Sequence, residues 1–293
     1  MKRLWMNRSF IVNKTIEYVC GIYALLGFLS IFVSFEGIFS PDEKLLIKIA
    51  ISILFLFIIF FIIAVGMMFY CYFKHRIPII CANNGNKLYI QYGDLFGETE
   101  VINSNERRNI VIPVNRCFDT TVDNIIISEK TLHGQALARL YKKSIYTEKT
   151  LNEMLDNLLA QKNYVALNEI SKPSGKTKRY DIGTTIDLPC NEKEHYLLWA
   201  LSTFDSSLKA HTTIEEYTLA VQRLIEACNN ESEGFPVLIP LVGSGLSRIY
   251  KNQSDILDYL IKAFSLNKDK INCDIHIIIK EDLKNDISIM KYK

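Results

Sequence analysis

Hydrophobic residues are concentrated in two long segments near the N-terminus. Residues 18–35 contain no charged side chain, and neither do residues 49–73. A helix needs about 20 apolar residues to cross the hydrocarbon core of a bilayer, so both segments are long enough. Helices of soluble proteins seldom stay apolar on every face over such lengths. The pattern therefore predicts a transmembrane hairpin in residues 1–75, with spans at about 18–35 and 49–73.

The segments that flank the spans predict how the hairpin is oriented. Between the spans, Ser40 is expected to cap a helix that has Pro41 in its first turn and Glu43 reaching back to the cap. Basic residues precede the first span and follow the second, namely Lys2, Arg3, Arg8, Lys14, Lys74 and Arg76. By the positive-inside rule, both termini are expected in the cytoplasm. The chain is thus predicted to be a multi-pass protein of the cell inner membrane.

Beyond residue 75, short apolar runs alternate with amphipathic helical patterns. Strands are predicted at residues 77–81, 87–92, 109–114, 180–188, 196–202, 236–241 and 274–280. Helices are predicted at 132–146, 148–169, 214–228 and 255–264, and Thr213 with Glu216 forms a second capping box. This alternation predicts an α/β fold, a three-layer α/β/α sandwich around a mixed sheet, over residues 76–293.

Charge and cysteine content narrow the classes of function. The formal net charge is only +2, which argues against a nucleic-acid partner, because phosphate binding needs concentrated Lys and Arg. The basic run at residues 172–179 contains Pro173, Ser174 and Gly175, so it is interpreted as a solvated loop. The seven cysteines are far apart and include no CxxC pair, which indicates neither a disulfide framework nor a zinc site.

Three loops that follow predicted strands carry chemistry suited to a nucleotide. The first contains Asp94, whose carboxylate can accept from an exocyclic amine, although an aspartate that only stabilises a turn fits equally well. The second begins with Asn115, which can bond a ribose hydroxyl, and continues to Phe118, which can stack on a ring. In the third, two glycines bracket a serine, so that backbone N–H groups can converge on an anion. Its residues are Gly243, Ser244, Gly245, Leu246, Ser247 and Arg248.

The order of these motifs resembles a macro domain, the fold that binds ADP-ribose and related nucleotides. The motifs are GDLF at 93–96, VNRCFD at 114–119 and PLVGSGLSR at 240–248. The run FDTTVDNIIISEKTLHGQ at 118–135 is closer still to a membrane-tethered macro branch. With two N-terminal spans, the chain resembles the effector of type II Thoeris antiphage systems.

The resemblance implies a ligand site. Asp94 would face the adenine amine, Asn115 the distal ribose, and the loop at 243–247 would wrap the diphosphate with backbone donors. The remaining expected ligand-binding residues are Leu95, Phe118, Asp119, His133, Gly134, Gln135 and Arg248. No cofactor or metal is implied, and the ligand would be an ADP-ribose-derived signal, such as a histidine conjugate.

The resemblance also implies partners. A TIR-domain enzyme would make the signal from NAD, and the effector would assemble as a homo-oligomer and disrupt the lipid bilayer. Two alternatives remain open, a membrane-anchored ADP-ribosyl hydrolase and an ADP-ribose reader that only recruits modified partners.

The sequence supports a hydrolytic function less well than a binding function. Hydrolytic macro domains usually carry a glycine-rich run after the asparagine, where this chain has Phe118 and Asp119. His133 lies near Cys117 and Asp123 in sequence, but proximity in sequence does not establish a catalytic geometry. We therefore expect no catalytic residues and a binding role.

Overall fold

The chain forms two compact units. The computed structural model describes residues 2–32, 45–98, 100–103, 106–242 and 252–293. One unit comprises Met1–His75 together with Lys284–Lys293, and the other comprises Arg76–Leu283. Residues 284–293 were expected in the soluble domain, whereas their contacts group them with the N-terminal helices.

The first unit contains helices α1 (Lys2–Met6), α2 (Arg8–Leu29) and α3 (Leu45–Phe73). By length and composition, α2 and α3 are each able to cross a membrane. Helix α2 begins at Arg8, ten residues before the apolar span that starts at residue 18. The polar residues that precede the span therefore belong to the same helix. The connector at 37–40 and the capping box at Ser40 lie outside the described residues.

The C-terminal segment completes this unit with a 3-10 helix at Ile289–Tyr292. Ile287, Ile289 and Met290 are buried. The Ser288 hydroxyl donates to the side-chain oxygen of Asn7 in the N-terminal segment, and Lys293 Nζ donates to the Tyr70 hydroxyl of α3 at 2.6 Å. The end of the chain is therefore hydrogen-bonded to the N-terminal segment through Asn7 and to α3 through Tyr70.

The second unit is built on a mixed sheet. Its strands are β1 (Arg76–Cys81), β2 (Lys87–Gly93), β3 (Arg108–Asn115), β6 (Thr185–Asn191), β7 (Glu194–Phe204), β8 (Ala210–His211), β9 (Val237–Pro240) and β10 (Ile275–Lys280), while β4 (Tyr164–Ala166) and β5 (Lys178–Tyr180) form a separate pair. The order across the sheet is β1-β2-β10-β9-β3-β7-β6, with β8 on β7. Strands β2, β10, β9, β3 and β7 are mutually parallel, and β1 and β6 are antiparallel to their neighbours.

Helices cover both faces of this sheet. Helices α4 (Leu132–Lys142) and α5 (Glu148–Leu159) share a hydrophobic cluster with Tyr196, Leu198 and Ala200 of β7. Trp199, which alternates with them, donates from Nε1 to the Ala220 carbonyl in α6 (Ile214–Glu231), and α7 (Gln253–Leu266) packs on α6. Successive side chains of a strand point to opposite faces, so the three-layer α/β/α architecture is confirmed.

Two predicted elements are shorter in the structure and are followed or preceded by a separate element. The strand expected at 180–188 is interrupted by a turn, because Gly183 adopts a left-handed conformation at φ +76°. The helix expected at 148–169 ends at Leu159, and β4 follows it because this segment pairs with β5. The expected capping box of α6 is confirmed, with Thr213 accepting from the Glu216 N–H.

Candidate functional site

The candidate site lies where parallel strands end at one edge of the sheet. Strand β2 ends at Gly93, immediately before Asp94, and β3 ends at Asn115. Strand β9 ends at Pro240, and Gly243–Arg248, which come next in the chain after residues 241–242, lie outside the described residues. Because these strands are parallel, the chain leaves all three of them at the same edge, where open α/β sheets bind ligands. The strand order puts the β9 exit between the other two.

Asp94 begins a tight loop with an exposed carboxylate. Its Oδ1 accepts the Phe96 N–H at 3.1 Å, and its carbonyl accepts the Gly97 N–H at 2.8 Å. Leu95 and Phe96 point inward and are buried. Leu95 was expected to contact the ligand, and its side chain instead anchors the loop in the core. Asp94 therefore stabilises the turn and also keeps its carboxylate accessible to a ligand.

Asn115 combines a satisfied acceptor with an unsatisfied donor. Its Oδ1 accepts the Cys117 N–H at 3.0 Å, which fixes the orientation of the side chain. The residue is 4% exposed, and its buried Nδ2 has no hydrogen-bond partner among the described residues. A buried donor without a partner costs about 1–3 kcal/mol, so this amide is suited to donate to a ligand oxygen.

Phe118 differs from its expected role. The side chain is 1% exposed, belongs to the hydrophobic core and packs edge-on against Tyr180 with ring centroids 5.6 Å apart. Its φ of +51° is unusual for an aromatic residue and turns the chain so that the ring faces inward. Stacking on a ligand would require the ring to leave the core, so Phe118 shapes the loop from within.

Asp119 is also turned inward, onto a partner that the sequence did not indicate. Its Oδ2 accepts from Lys172 Nζ at 2.7 Å, and its Oδ1 accepts the Lys176 N–H at 2.6 Å. Lys172 was placed in a solvated loop, and that interpretation is wrong, because the residue is 2% exposed. A buried carboxylate needs a counter-charge, and Lys172 supplies it from 53 positions along the chain.

His133, Gly134 and Gln135 form the first turn of α4, capped by Thr131, whose hydroxyl accepts the Gly134 N–H at 3.0 Å. A Cβ on Gly134 would lie 2.2 Å from the Ser128 carbonyl oxygen, so only glycine allows this close packing. Gln135 Nε2 donates to the Lys130 carbonyl at 3.1 Å. Burial lowers the pKa of His133 to about 3, assisted by the charge of Lys176, so the imidazole is neutral.

Basic side chains surround Asn115 in a recess that no sequence motif indicated. Its lining includes Arg116, Lys172, Arg179, Thr203 and Phe204. Burial lowers the pKa of Arg116, and the nearby positive charge of Arg179 lowers it further. Arg116 lies next to Asn115 in the motif VNRCFD. Arg179 reaches the recess from β5, and no local sequence pattern predicts its position there. Two of these cations are paired with carboxylates, Lys172 with Asp119 at 2.7 Å and Arg116 with Glu216 at 3.5 Å, so their charges are largely balanced.

Comparison with known proteins identifies the family. The family model described as "Thoeris protein ThsA, Macro domain" matches residues 88–280. This chain belongs to that family. The match begins one residue into β2 and ends with β10, so it includes the strand ends that carry Asp94 and Asn115.

Two individual proteins are similar over more than half of this chain. The Thoeris protein ThsA of Bacillus amyloliquefaciens (strain Y2) is 28% identical over 218 residues, which is 72% of this chain and 68% of that protein. The solved macrodomain of Mycobacterium tuberculosis DarG is 15% identical and aligns with a TM-score of 0.39 over 64% of this chain and 96% of its own. The family model and the ThsA similarity identify the second unit as a macro domain of the ThsA type.

Proposed function

We propose that this protein is a membrane effector of antiphage defence. Its ThsA-type macro domain binds an ADP-ribose-derived signal, made from NAD by a partner TIR-domain enzyme, and the loaded protein then damages the membrane. A homo-oligomer is part of the proposal, because two spans are too few to enclose an aqueous path. The proposal includes cytoplasmic termini, on the same side of the membrane as the signal.

The order of strands at the site is the observation that carries the ligand assignment. ADP-ribose has its diphosphate between adenosine and the distal ribose. In the sheet, the β9 exit lies between β2, which carries Asp94, and β3, which carries Asn115. Three strand spacings separate β2 from β3, about 14 Å in all. An extended nucleotide laid along this edge would place adenine at Asp94, diphosphate at the loop of residues 243–247 and the distal ribose at Asn115.

The chemistry around Asn115 favours binding over hydrolysis. Burial keeps His133 neutral, and it raises the pKa of the Cys117 thiol, against the opposing charge of Lys172. A neutral thiol is a weak nucleophile, and a histidine with a pKa of about 3 is a poor general base at neutral pH. The carboxylate of Asp119 is already held by Lys172. His133, Cys117 and Asp119 are therefore poorly suited to catalyse hydrolysis.

The helical unit supports the membrane part of the proposal. Large apolar side chains of α3 are exposed on several faces, including Leu54, Phe57, Phe61 and Phe69. So broad an apolar surface is unfavourable in water and suits contact with lipid. Phe57→Asp is expected to leave ligand affinity unchanged and to abolish membrane damage, measured by dye release from liposomes.

Calorimetry on the full chain in detergent tests the ligand assignment. ADP-ribose and its amino-acid conjugates are the probes, and Asn115→Ala should weaken binding at least about tenfold, because a hydrogen bond to a buried ligand oxygen is lost. Gly245→Val should abolish binding, because a side chain blocks backbone approach to the diphosphate. If both variants keep the wild-type affinity, the nucleotide binds at another site.

The same samples test the enzymatic alternative. A bound conjugate should be recovered intact after prolonged incubation. Steady turnover that disappears in His133→Ala would instead favour an ADP-ribosyl hydrolase. Mass measurement in detergent with and without saturating ligand tests assembly, and an unchanged mass would replace ligand-driven association with rearrangement inside a preformed oligomer.

A further inference from the structure

A hydrogen-bonded carboxylate lies directly behind the Asp94 loop. Glu100 Oε1 accepts the backbone N–H of Asp94 at 3.0 Å. A Cβ built on Gly93 would lie 2.2 Å from the same oxygen, so the carboxylate occupies the volume that a side chain at position 93 would need. A Cβ on Gly97 would come within 3.1 Å of it. The two glycines that bracket Asp94 therefore allow Glu100 to reach the loop backbone.

Three further groups hold Glu100 in place. Gln91 Nε2 donates to Glu100 Oε2 at 2.6 Å and to the Glu100 carbonyl at 2.7 Å. Arg76 Nη2 donates to the same carbonyl at 2.6 Å, and Arg76 Nε donates to Gln91 Oε1. His276 Nδ1 also contacts Gln91 Oε1, at 2.8 Å. Burial lowers the pKa of His276 to about 3, so the ring is neutral and donates through Nδ1–H.

The hydrogen bonds in this network have only one consistent direction. Gln91 must present its amide nitrogen to Glu100, because its oxygen receives Arg76 and His276. Glu100 must then present two acceptors, one to Gln91 and one to Asp94. Both polar atoms of the Gln91 side chain and both carboxylate oxygens of Glu100 have partners, which favours one conformation of this pair, while His276 Nε2 has no partner among the described residues. The network thus sets where the backbone of Asp94 lies relative to β2.

We propose that Glu100 is a positioning residue for nucleobase recognition: it holds the Asp94 loop so that the Asp94 carboxylate meets the exocyclic amine of adenine. This inference rests on the proposed function and deepens it. Selectivity for a 6-amino purine then depends on a residue that does not touch the ligand. Glu100 acts through the Asp94 backbone, while the Asp94 side chain makes the contact.

The test compares two ligands that differ at one position of the base. ADP-ribose carries the 6-amino group, and inosine diphosphate ribose carries a carbonyl oxygen there, which a carboxylate repels. Full-length protein in detergent should bind ADP-ribose at least about tenfold more tightly, and Asp94→Ala should remove this preference. Glu100→Ala should also reduce the preference to within about twofold, mainly by weakening ADP-ribose.

Two variants separate positioning from a general loss of structure. Glu100→Gln places an amide against the Gln91 amide, so it should lose much of the preference. The double variant Glu100→Gln with Gln91→Glu restores a donor opposite an acceptor between the two side chains, but it sets a carboxylate oxygen against the Glu100 carbonyl, so it should recover only part of the preference. Glu98→Gln is the matched control, an exposed glutamate in the same loop, and should keep the wild-type preference.

The outcomes distinguish this inference from the proposed function. If Asp94→Ala loses the preference and Glu100→Ala keeps it, Glu100 is not a positioning residue, and the ligand assignment stands. Equal weakening of both ligands by Glu100→Ala, with their ratio unchanged, assigns Glu100 a structural role only and overturns the inference. If Glu100→Ala does not fold, the loss in Glu100→Gln and its partial recovery in the double variant decide the question. Wild-type protein that binds neither ligand would overturn the proposed function itself.

Discussion

The carboxylate of Asp119 accepts a hydrogen bond from the ammonium group of Lys172 at 2.7 Å, and neither side chain is more than 2% exposed. This pair joins the loop that follows Asn115 to the segment between β4 and β5. The same carboxylate accepts the Lys176 N–H, so both of its oxygens are used. The loop beside the candidate ribose site is therefore held by a buried ion pair.

Breaking this ion pair from one side should be strongly destabilising. Asp119→Ala leaves the Lys172 charge buried without its partner, at a cost of about 3–5 kcal/mol. Replacing both residues, with Asp119→Leu and Lys172→Met, should cost clearly less because no charge remains. Thermal unfolding of the full chain in detergent measures both. Equal losses in the single and double variants would contradict the assigned role of the pair.

Gly175 tests the same contact from the backbone. It adopts φ +85°, and a Cβ there would lie 2.4 Å from Asp119 Oδ1 and 2.8 Å from Lys172 Nζ. Gly234 has a similar φ of +81° with no atom within 4 Å of its Cβ position. Both alanine variants carry about 1–2 kcal/mol of backbone strain, and only Gly175→Ala also disturbs the ion pair. Its melting temperature should therefore fall further than that of Gly234→Ala.

The depressed pKa of His133 predicts a loss of stability in acid. The unfolded histidine takes up a proton near pH 6.5, while the folded one stays neutral down to about pH 3. The unfolded state therefore binds more protons between these values, so stability falls as the pH falls through this window. From pH 6.5 to 5 the contribution is about 2 kcal/mol.

The variant His133→Leu removes this titration and should show a smaller difference in unfolding free energy between pH 7 and pH 5. His211 is exposed, and His211→Gln is the matched control that should keep the wild-type pH dependence. An unchanged pH dependence in His133→Leu would show that other groups dominate acid unfolding.

The C-terminal segment is expected to couple ligand binding to the helices. Strand β10 lies between β2 and β9 in the sheet, and the chain continues from it into the segment that contacts Asn7 and Tyr70. Deleting residues 286–293 leaves β10 intact, so ADP-ribose affinity should change by less than about twofold, while ligand-dependent dye release from liposomes should be lost. Ser288→Ala, which removes only the hydroxyl bonded to Asn7, should have a milder effect. Full dye release by the truncated chain would exclude this route of coupling.

The membrane topology can be checked by cysteine labelling in intact cells. Lys2 is exposed and precedes α2, so Lys2→Cys provides a reporter close to the N-terminus. The basic flanks predict that an impermeant thiol reagent labels this position only after the cells are opened. Labelling from outside intact cells would reverse the proposed orientation.

The sequence by itself determined the elements whose signals are local. Long uncharged runs indicated the two apolar helices near the N-terminus, and a period of two or 3.6 residues indicated most strands and helices. The capping box at Thr213 and the position of Asp94 and Asn115 at strand ends needed only neighbouring residues. Local patterns are informative in these cases because backbone hydrogen bonding and burial repeat over a few positions.

Only the tertiary structure decided which residues of the site face inward. Phe118 and Asp119 follow Asn115 as an aromatic and an acid in a polar loop, and nothing local distinguishes a ligand contact from a core residue. Their direction depends on Tyr180 and Lys172, which come from distant segments. A buried charge is stable only when its partner is brought to it, and that requirement leaves no periodic trace in the chain. The same reason hid Glu100, whose place behind Asp94 became visible only through its contacts with Gln91 and Arg76.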